Sequence, residues 1–256
     1  MPADLSRYYS AYYGGRHGFT AQFCARRRLR WINRYRKAGH LKLLDIGCGE
    51  GTFLLAARAA GWEVAGTEMN PALARANRLD VHATLQETAP FAPFDCITLW
   101  HSLEHMRDPR SIVAKARELL ALGGTLLVAV PNAAGWQARI FGAHWLHRDV
   151  PRHLYHFGPT ALGSLLEREG FTVTHFWNQE FEYDLLGWSQ SALNAISGTP
   201  NLFFSTITGR KPNAKVLARF ANVLGGVVFS AIALPLVPLG ALAQAGGTLV
   251  VAARKK

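Results

Sequence analysis

The chain has 256 residues, with 28 basic against 17 acidic, a formal charge of +11, 49% apolar and only 18% charged. That composition excludes a disordered, collagen-like or disulfide-stapled chain, and the length suits one large domain or a domain with an elaboration. The cysteines, Cys24, Cys48 and Cys96, show no paired spacing, which argues against a zinc ribbon and fits a reducing cytoplasmic compartment. Residues 1–16 hold no apolar run, so no secretory leader is expected.

In chain order, residues 1–40 carry nine basic and one acidic residue, +8, and 19–38 read as a helix. Ala25, Leu29 and Ile32 fall on one face; Arg27, Arg30, Arg34 and Lys37 fall on another, with Gly39 as the stop. Leu41–Ile46 is a short apolar strand that runs into Gly47-Cys48-Gly49-Glu50-Gly51, followed by a helix over 52–60. A second strand over 63–67 ends at Glu68. A helix over 71–79, a strand over 81–84 and a strand over Phe94–Trp100 come next. A helix over 109–122 closed by Gly123-Gly124 leads to a strand over 125–130 that Pro131-Asn132 stops. A helix over 160–169, a strand over 171–176 and a last apolar strand over 247–253 complete the pattern. Strand and helix alternating at this spacing predict a doubly wound α/β fold with a mostly parallel sheet covered on both faces. The body, 41–178, has twelve basic and thirteen acidic residues, −1, while 179–256 has seven and three, +4. Basic flanks favour phosphate-bearing partners, either nucleic acid or anionic lipid.

The glycine loop joins a buried strand to a helix, where glycines let the chain turn tightly and let a ligand approach the main chain. A dinucleotide fingerprint needs its third glycine at position 52, which is Thr52; the glycine stands at 51 instead, and this argues against NAD or FAD. Glu68, at the end of the next strand, is a natural acceptor for two ribose hydroxyls.

This loop-and-acid pair resembles the class I methyltransferases that use S-adenosylmethionine (SAM). Phe94 to Pro109, with Leu103-Glu104-His105 followed by Asp108-Pro109, is similar to that family's fourth strand and the loop after it. Gly123-Gly124-Thr125 through Pro131-Asn132 is similar to its fifth. Pro151-Arg152-His153-Leu154-Tyr155-His156-Phe157 looks like the broad subgroup that contains the ubiquinone-type O-methyltransferases. The resemblance implies a Rossmann-like seven-stranded sheet with strand seven antiparallel, and SAM as cofactor. It implies that Asp45, Gly47, Cys48, Gly49 and Gly51 line the SAM site, that Glu68 takes the ribose and that Met69 flanks the adenine. Trp100 and His101, at the end of strand four, would face the cofactor, and Tyr12 and Tyr13 of the Tyr8–Tyr13 cluster would close over it as a lid.

Transfer to a hydroxyl needs a base, and histidine is the natural one near neutral pH. His101 and His153 are the candidates, with Tyr155 and His156 on the same rim. A scaffold role for Arg152-His153-Leu154 stands beside the catalytic one. His101, Glu104 and His105 have a spacing that suits a divalent metal. Ubiquinone-type relatives look richer in acid at the His101 position, and on that ground no metal is assigned.

Between strands six and seven lies an insertion, 179–246. No charged residue occurs from Phe220 to Ala253. Two membrane crossings need about forty apolar residues, and 216–246 holds 31. Two short apolar helices, 216–234 and 239–245, hinged at Pro235–Pro238, are expected instead, dipping into one leaflet. An intramolecular cap and a dimer interface are the alternatives. Within a helix over 184–197, Gln190 and Asn194 lie one turn apart and are expected to cross-link the insertion. Four segments follow: an N-terminal tyrosine lid and basic helix (1–40), a SAM-binding core (41–178), a helical apolar insertion (179–246) and a last core strand with a basic tail (247–256). The expected function is SAM-dependent O-methylation of a small or lipid-linked acceptor at an anionic membrane surface, by a cytoplasmic, peripheral enzyme. A nucleic-acid methyltransferase is disfavoured because the Asn/Asp-Pro-Pro-aromatic loop is missing after strand four. A non-catalytic SAM-binding membrane protein is the third reading.

Overall fold

A computed structural model describes residues 19–35, 41–208 and 214–256. Its framework is a seven-stranded sheet in the order β3-β2-β1-β4-β5-β7-β6. The strands are β1 (Leu41–Ile46), β2 (Trp62–Thr67), β3 (Asp80–His82), β4 (Phe94–Trp100), β5 (Leu120–Pro131), β6 (Phe171–Trp177) and β7 (Thr248–Lys255). The first five pair in parallel, with Leu43 beside Val64 on one side and Cys96 on the other. β7 runs the other way. Its start lies beside the end of β5, where the Asn132 N–H donates to the Gly247 carbonyl, and its end beside the start of β5, where Lys255 Nζ donates to the Leu120 carbonyl. The expected fold class, with strand seven antiparallel, is therefore the observed one.

The helices of the wound core are α1 (Phe19–Asn33), α2 (Thr52–Ala59), α3 (Ala72–Ala76), α4 (Pro109–Leu119) and α6 (Pro159–Arg168). α5 (Trp136–Phe141), α7 (Phe181–Ile196), α8 (Leu202–Ile207), α9 (Val216–Ala233) and α10 (Leu236–Leu242) are the others. β1, β4 and β5 read as nearly continuous apolar runs because both faces of a parallel sheet are covered. Leu43, Leu44, Ile97, Leu99, Leu126 and Val128 are accordingly fully buried. α4 starts where Asp108 accepts the Ser111 N–H and Pro109 sets the first turn.

Several boundaries depart from the sequence reading. α1 ends at Asn33, with a turn at residues 34 and 35, rather than at 38. α3 has five residues, because Arg78 turns left-handed (φ 55) only two residues beyond it. α4 stops at Leu119 instead of running to 122. Leu120 already pairs with Phe94, and the chain then bulges through 121–124 before Thr125 meets Cys96. Gly123-Gly124 therefore belongs to a strand irregularity, with Gly123 at φ 68, and not to a helix end. The apolar helices fall at 216–233 and 236–242, because Pro235 and the first turn of α10 take up the hinge.

The chain divides into two compact units. One comprises residues 17–130, 160–176 and 251–256 and holds β1 to β4, nearly all of β5 and β6, and most of β7. The other comprises, among the described residues, those of 131–159 and 177–250. The segment 131–159, grouped with the core in the sequence reading, thus clusters with the insertion. In that second unit Trp188, Ala233 and Val237 form a small core, with Trp136, Phe141, Leu185 and Leu236 packed against it.

Candidate active site

Three strand ends meet at the glycine loop. The Gly47 and Cys48 N–H groups both donate to the Thr67 carbonyl at 2.9 Å, and the Glu68 N–H donates to the His82 carbonyl at 2.9 Å. β1, β2 and β3 are thereby tied where they end. Gly47 and Gly51 both have positive φ, 77° and 81°. A Cβ on Gly47 would stand 2.6 Å from Ser102 Cβ, and one on Gly51 would overlap the Leu79 side chain. Positive φ strains any other residue at both positions, and the close approach of Ser102 adds to this at Gly47.

The acid at the end of β2 faces this loop, where Glu68 Oε2 accepts the Gly49 N–H at 2.9 Å. A side-chain carbon on Gly49 would meet nothing within 4 Å, so the loop is open there. Asp45 lies beneath, 3% exposed. Its Oδ1 accepts from Thr98 Oγ1 at 2.6 Å. Burial pushes the Asp45 carboxyl up to about 6; the Thr98 hydrogen bond and Arg28 pull it down, and Glu68 adds to the rise. Burial, with Asp45 and Glu68 nearby, also pushes the Cys48 thiol up, which disfavours its thiolate.

The turn after β4 completes this end of the unit. His101 sits in the left-handed region (φ 53), and its N–H donates to the Ala129 carbonyl at 2.9 Å. That conformation is uncommon for a side chain with a Cβ and marks a position fixed by its surroundings. His101 Nδ1 lies 3.8 Å from Glu104 Oε1; their side chains are 10% and 2% exposed. Ser102 Oγ donates to the Ile46 carbonyl at 2.7 Å and so locks this turn onto the glycine loop. Trp100 is buried, edge-on to Phe53 at 5.8 Å, with the Arg28 guanidinium 5.1 Å from its ring. Met69 is 66% exposed, just beyond Glu68.

The remaining candidates belong to the second unit. His153 is buried; its Nδ1 bonds the His147 carbonyl at 2.7 Å, and its Nε2 is 3.8 Å from Asp149 Oδ2. Arg152 pairs with the same carboxylate. Tyr155 stacks on Phe157 at 5.9 Å, and His156 Nε2 bonds the Arg148 carbonyl at 2.8 Å. Tyr12 and Tyr13 lie outside the described residues. Of the sequence candidates, one unit therefore gathers Asp45, Gly47, Cys48, Gly49, Gly51, Glu68, Met69, Trp100 and His101 at one end of the sheet. Sequence reasoning passed over Ser102, although a small hydroxyl residue directly after His101 was the available signal. It also weighed Glu104 only as a metal ligand.

An open glycine loop after β1 and a carboxylate after β2, on a sheet of this strand order, define a class I SAM-dependent methyltransferase, and the residues present fit SAM. A family model described as a methyltransferase domain matches residues 16–176, and the chain belongs to that family. It is 28% identical over 185 residues to a ubiquinone biosynthesis O-methyltransferase of Methylococcus capsulatus, covering 67% of this chain and 75% of the relative. It is also 28% identical over 193 residues to the protein of the same name from Aromatoleum aromaticum, covering 68% and 78%. Among solved structures, a SAM-dependent methyltransferase from Archaeoglobus fulgidus aligns with TM-score 0.56 and 17% identity over 98% of this chain and all of that one. Haemonchus contortus phosphoethanolamine N-methyltransferase 2, in complex with SAM, aligns with TM-score 0.57 and 18% identity, covering 94% of this chain and 53% of its own. At these identities the structures share the fold.

Proposed function

We propose that the protein moves the methyl group of SAM to a hydroxyl oxygen of a small or lipid-linked acceptor at the cytoplasmic face of a membrane. The carrying observation is that this methyltransferase fold bears, between β6 and β7, a pair of apolar helices whose outer faces are exposed: Leu217, Phe220, Val227 and Leu242 are 77, 66, 59 and 83% exposed. A surface of this kind suits an enzyme that meets its acceptor in lipid. The names of the 28%-identical relatives support oxygen as the atom methylated.

SAM supplies a methyl already activated on a sulfonium. The chain's own residues position the reactants and handle the proton. Glu68 and the glycine loop would hold the cofactor at its ribose and amino-acid ends. His101, whose Nδ1 lies 3.8 Å from Glu104 Oε1, would take the hydroxyl proton as the oxygen attacks the methyl carbon and the sulfur departs as the neutral thioether. His153, with its Nδ1 held by a backbone carbonyl and an acid near Nε2, serves as a positioning residue for its own loop. Mass spectrometry of lipid extracts from cells with and without the protein tests the reading. A lipid-soluble species heavier by one CH₂ is expected only where the protein is present. A shifted species confined to RNA or to water-soluble metabolites would contradict it.

A further inference from the structure

We infer that the outer face of α9 and α10 docks on one leaflet of an anionic bilayer, with the helices lying in the plane of the interface; the inference rests on the reading above. α9 has 18 residues and mean hydropathy 1.8, yet only 11% of it is buried. Its inner side is seated at close range. Gly226 approaches Phe203 so closely that a Cβ would stand 2.5 Å from its ring, and Ala233 enters the core with Trp188 and Val237. The opposite side repeats at three- and four-residue steps, through Leu217, Phe220, Leu224, Val227 and Val228, all at least 50% exposed. Ten of the twenty exposed large apolar side chains among the described residues fall between 216 and 242. This is a continuous patch and not a scatter.

Two observations choose the occupant. The first is hydrogen bonding. A protein partner brings a polar rim and about one hydrogen bond per 100–200 Å². This face offers none of that: 216–242 carries a single charged residue, Arg219, which is half-buried, and Asn222 Nδ2 is turned back onto the Ala218 carbonyl at 3.1 Å. Hydrocarbon asks for no hydrogen bonds. The second is charge. Among the described residues of this unit, no acid is exposed: Glu180 and Asp184 are buried, and Asp149 and Glu182 are half-buried. Its exposed charged side chains are Arg139, Arg148 and Lys215, all positive. A second copy would bring the same all-positive set of exposed charges, whereas anionic headgroups complement it, beginning with Lys215 at the start of α9. α9 is about 27 Å long at 1.5 Å per residue. With α10 hinged behind it at Pro235, it is shaped to lie along an interface.

The test uses the full chain with vesicles of phosphatidylcholine alone and of phosphatidylcholine with phosphatidylglycerol, in a flotation assay. Wild type should float with the mixed vesicles and more weakly with the neutral ones. The variant Leu217→Glu/Leu224→Glu/Val228→Glu should lose at least about tenfold in vesicle affinity, with its SAM affinity by calorimetry unchanged, since these side chains point outward. Vesicle binding that survives the triple substitution would overturn the inference. So would a wild type that binds neither vesicle, or a dimer in lipid-free buffer that the triple variant converts to monomer. Methyl transfer to a detergent-dispersed acceptor is measured alongside. If transfer persists without vesicle binding, the docking alone falls; if vesicles bind as expected and no acceptor is methylated, the proposed function alone falls.

Discussion

In the proposed reading, Glu68 is the residue on which cofactor binding turns most directly. Its carboxylate accepts the Gly49 N–H, so substitution removes a brace of the loop and, on that reading, would also remove the proposed ribose acceptor. A charged hydrogen bond contributes about 1.5–3 kcal/mol. Glu68→Ala should therefore weaken SAM binding about 10- to 100-fold by calorimetry, and an unchanged affinity would count against its role. His101 can be tested without disturbing the backbone, because asparagine tolerates the left-handed region better than most residues. His101→Asn should keep the melting temperature and reduce turnover by about 10² to 10⁴; full activity would remove His101 as the base. Asp45 makes a statement about pH. Its carboxyl titrates at about 6 in the fold, against an ordinary value near 4. A raised carboxyl contributes stability that is fully present below pH 4 and lost as the pH rises through 6. Asp45→Asn, which keeps an acceptor for Thr98, should match wild type near pH 4 and exceed it by about 3 kcal/mol above pH 7 in denaturant unfolding. An equal gain at both pH values would show that ionisation is not the cause. Glu68 and the glycines were legible in the sequence because strand ends and loop spacing are local properties. The Ser102 bond to the Ile46 carbonyl was not, since it joins positions 56 residues apart.

Among the elements, β1 and β4 match the sequence reading residue for residue, because a buried parallel strand is a continuous apolar run bounded by turn residues. α4 and α3 were read too long, since a bulge and a left-handed arginine are decided by pairing and packing. α7 behaves as its polar spacing suggested. Gln190 Nε2 donates to Asn194 Oδ1 at 2.7 Å, Gln190 Oε1 accepts the Phe204 N–H at 2.6 Å, and Asn194 Nδ2 reaches the His144 carbonyl and Asn201 Oδ1. These bonds cross-link α7 to α8 and to the loop before it. At the other end of α7, Asp184 is buried near the point where the chain returns through Gly246 and Gly247. Burial raises its carboxyl well above the ordinary value and Glu180 adds to this, while the Thr248 hydroxyl offsets part of it. A carboxyl raised in this way contributes stability that is fully present below about pH 4 and fades as the pH rises toward its folded value. Asp184→Asn should gain stability over wild type in denaturant unfolding progressively as the pH rises above about 4. A constant difference between wild type and Asp184→Asn across that range would contradict the assignment.

For the molecule as a whole, the charge of +11 and the apolar fraction of 49% describe different parts of the chain. The wound sheet with its glycine loop is electrically near neutral over 41–178, while the insertion unit exposes apolar helices, and the exposed charged side chains among its described residues are all positive. The insertion was legible as two apolar helices hinged at prolines. That residues 131–159 would cluster with it was not, because no local pattern reports which distant segment a loop packs against. The direct measurement is transfer of isotope-labelled methyl from SAM into a total lipid extract by the purified chain. The account predicts label in the organic phase, on an oxygen, dependent on His101. Label that appears only in RNA or water-soluble acceptors, or no transfer by a chain that binds SAM, would contradict it.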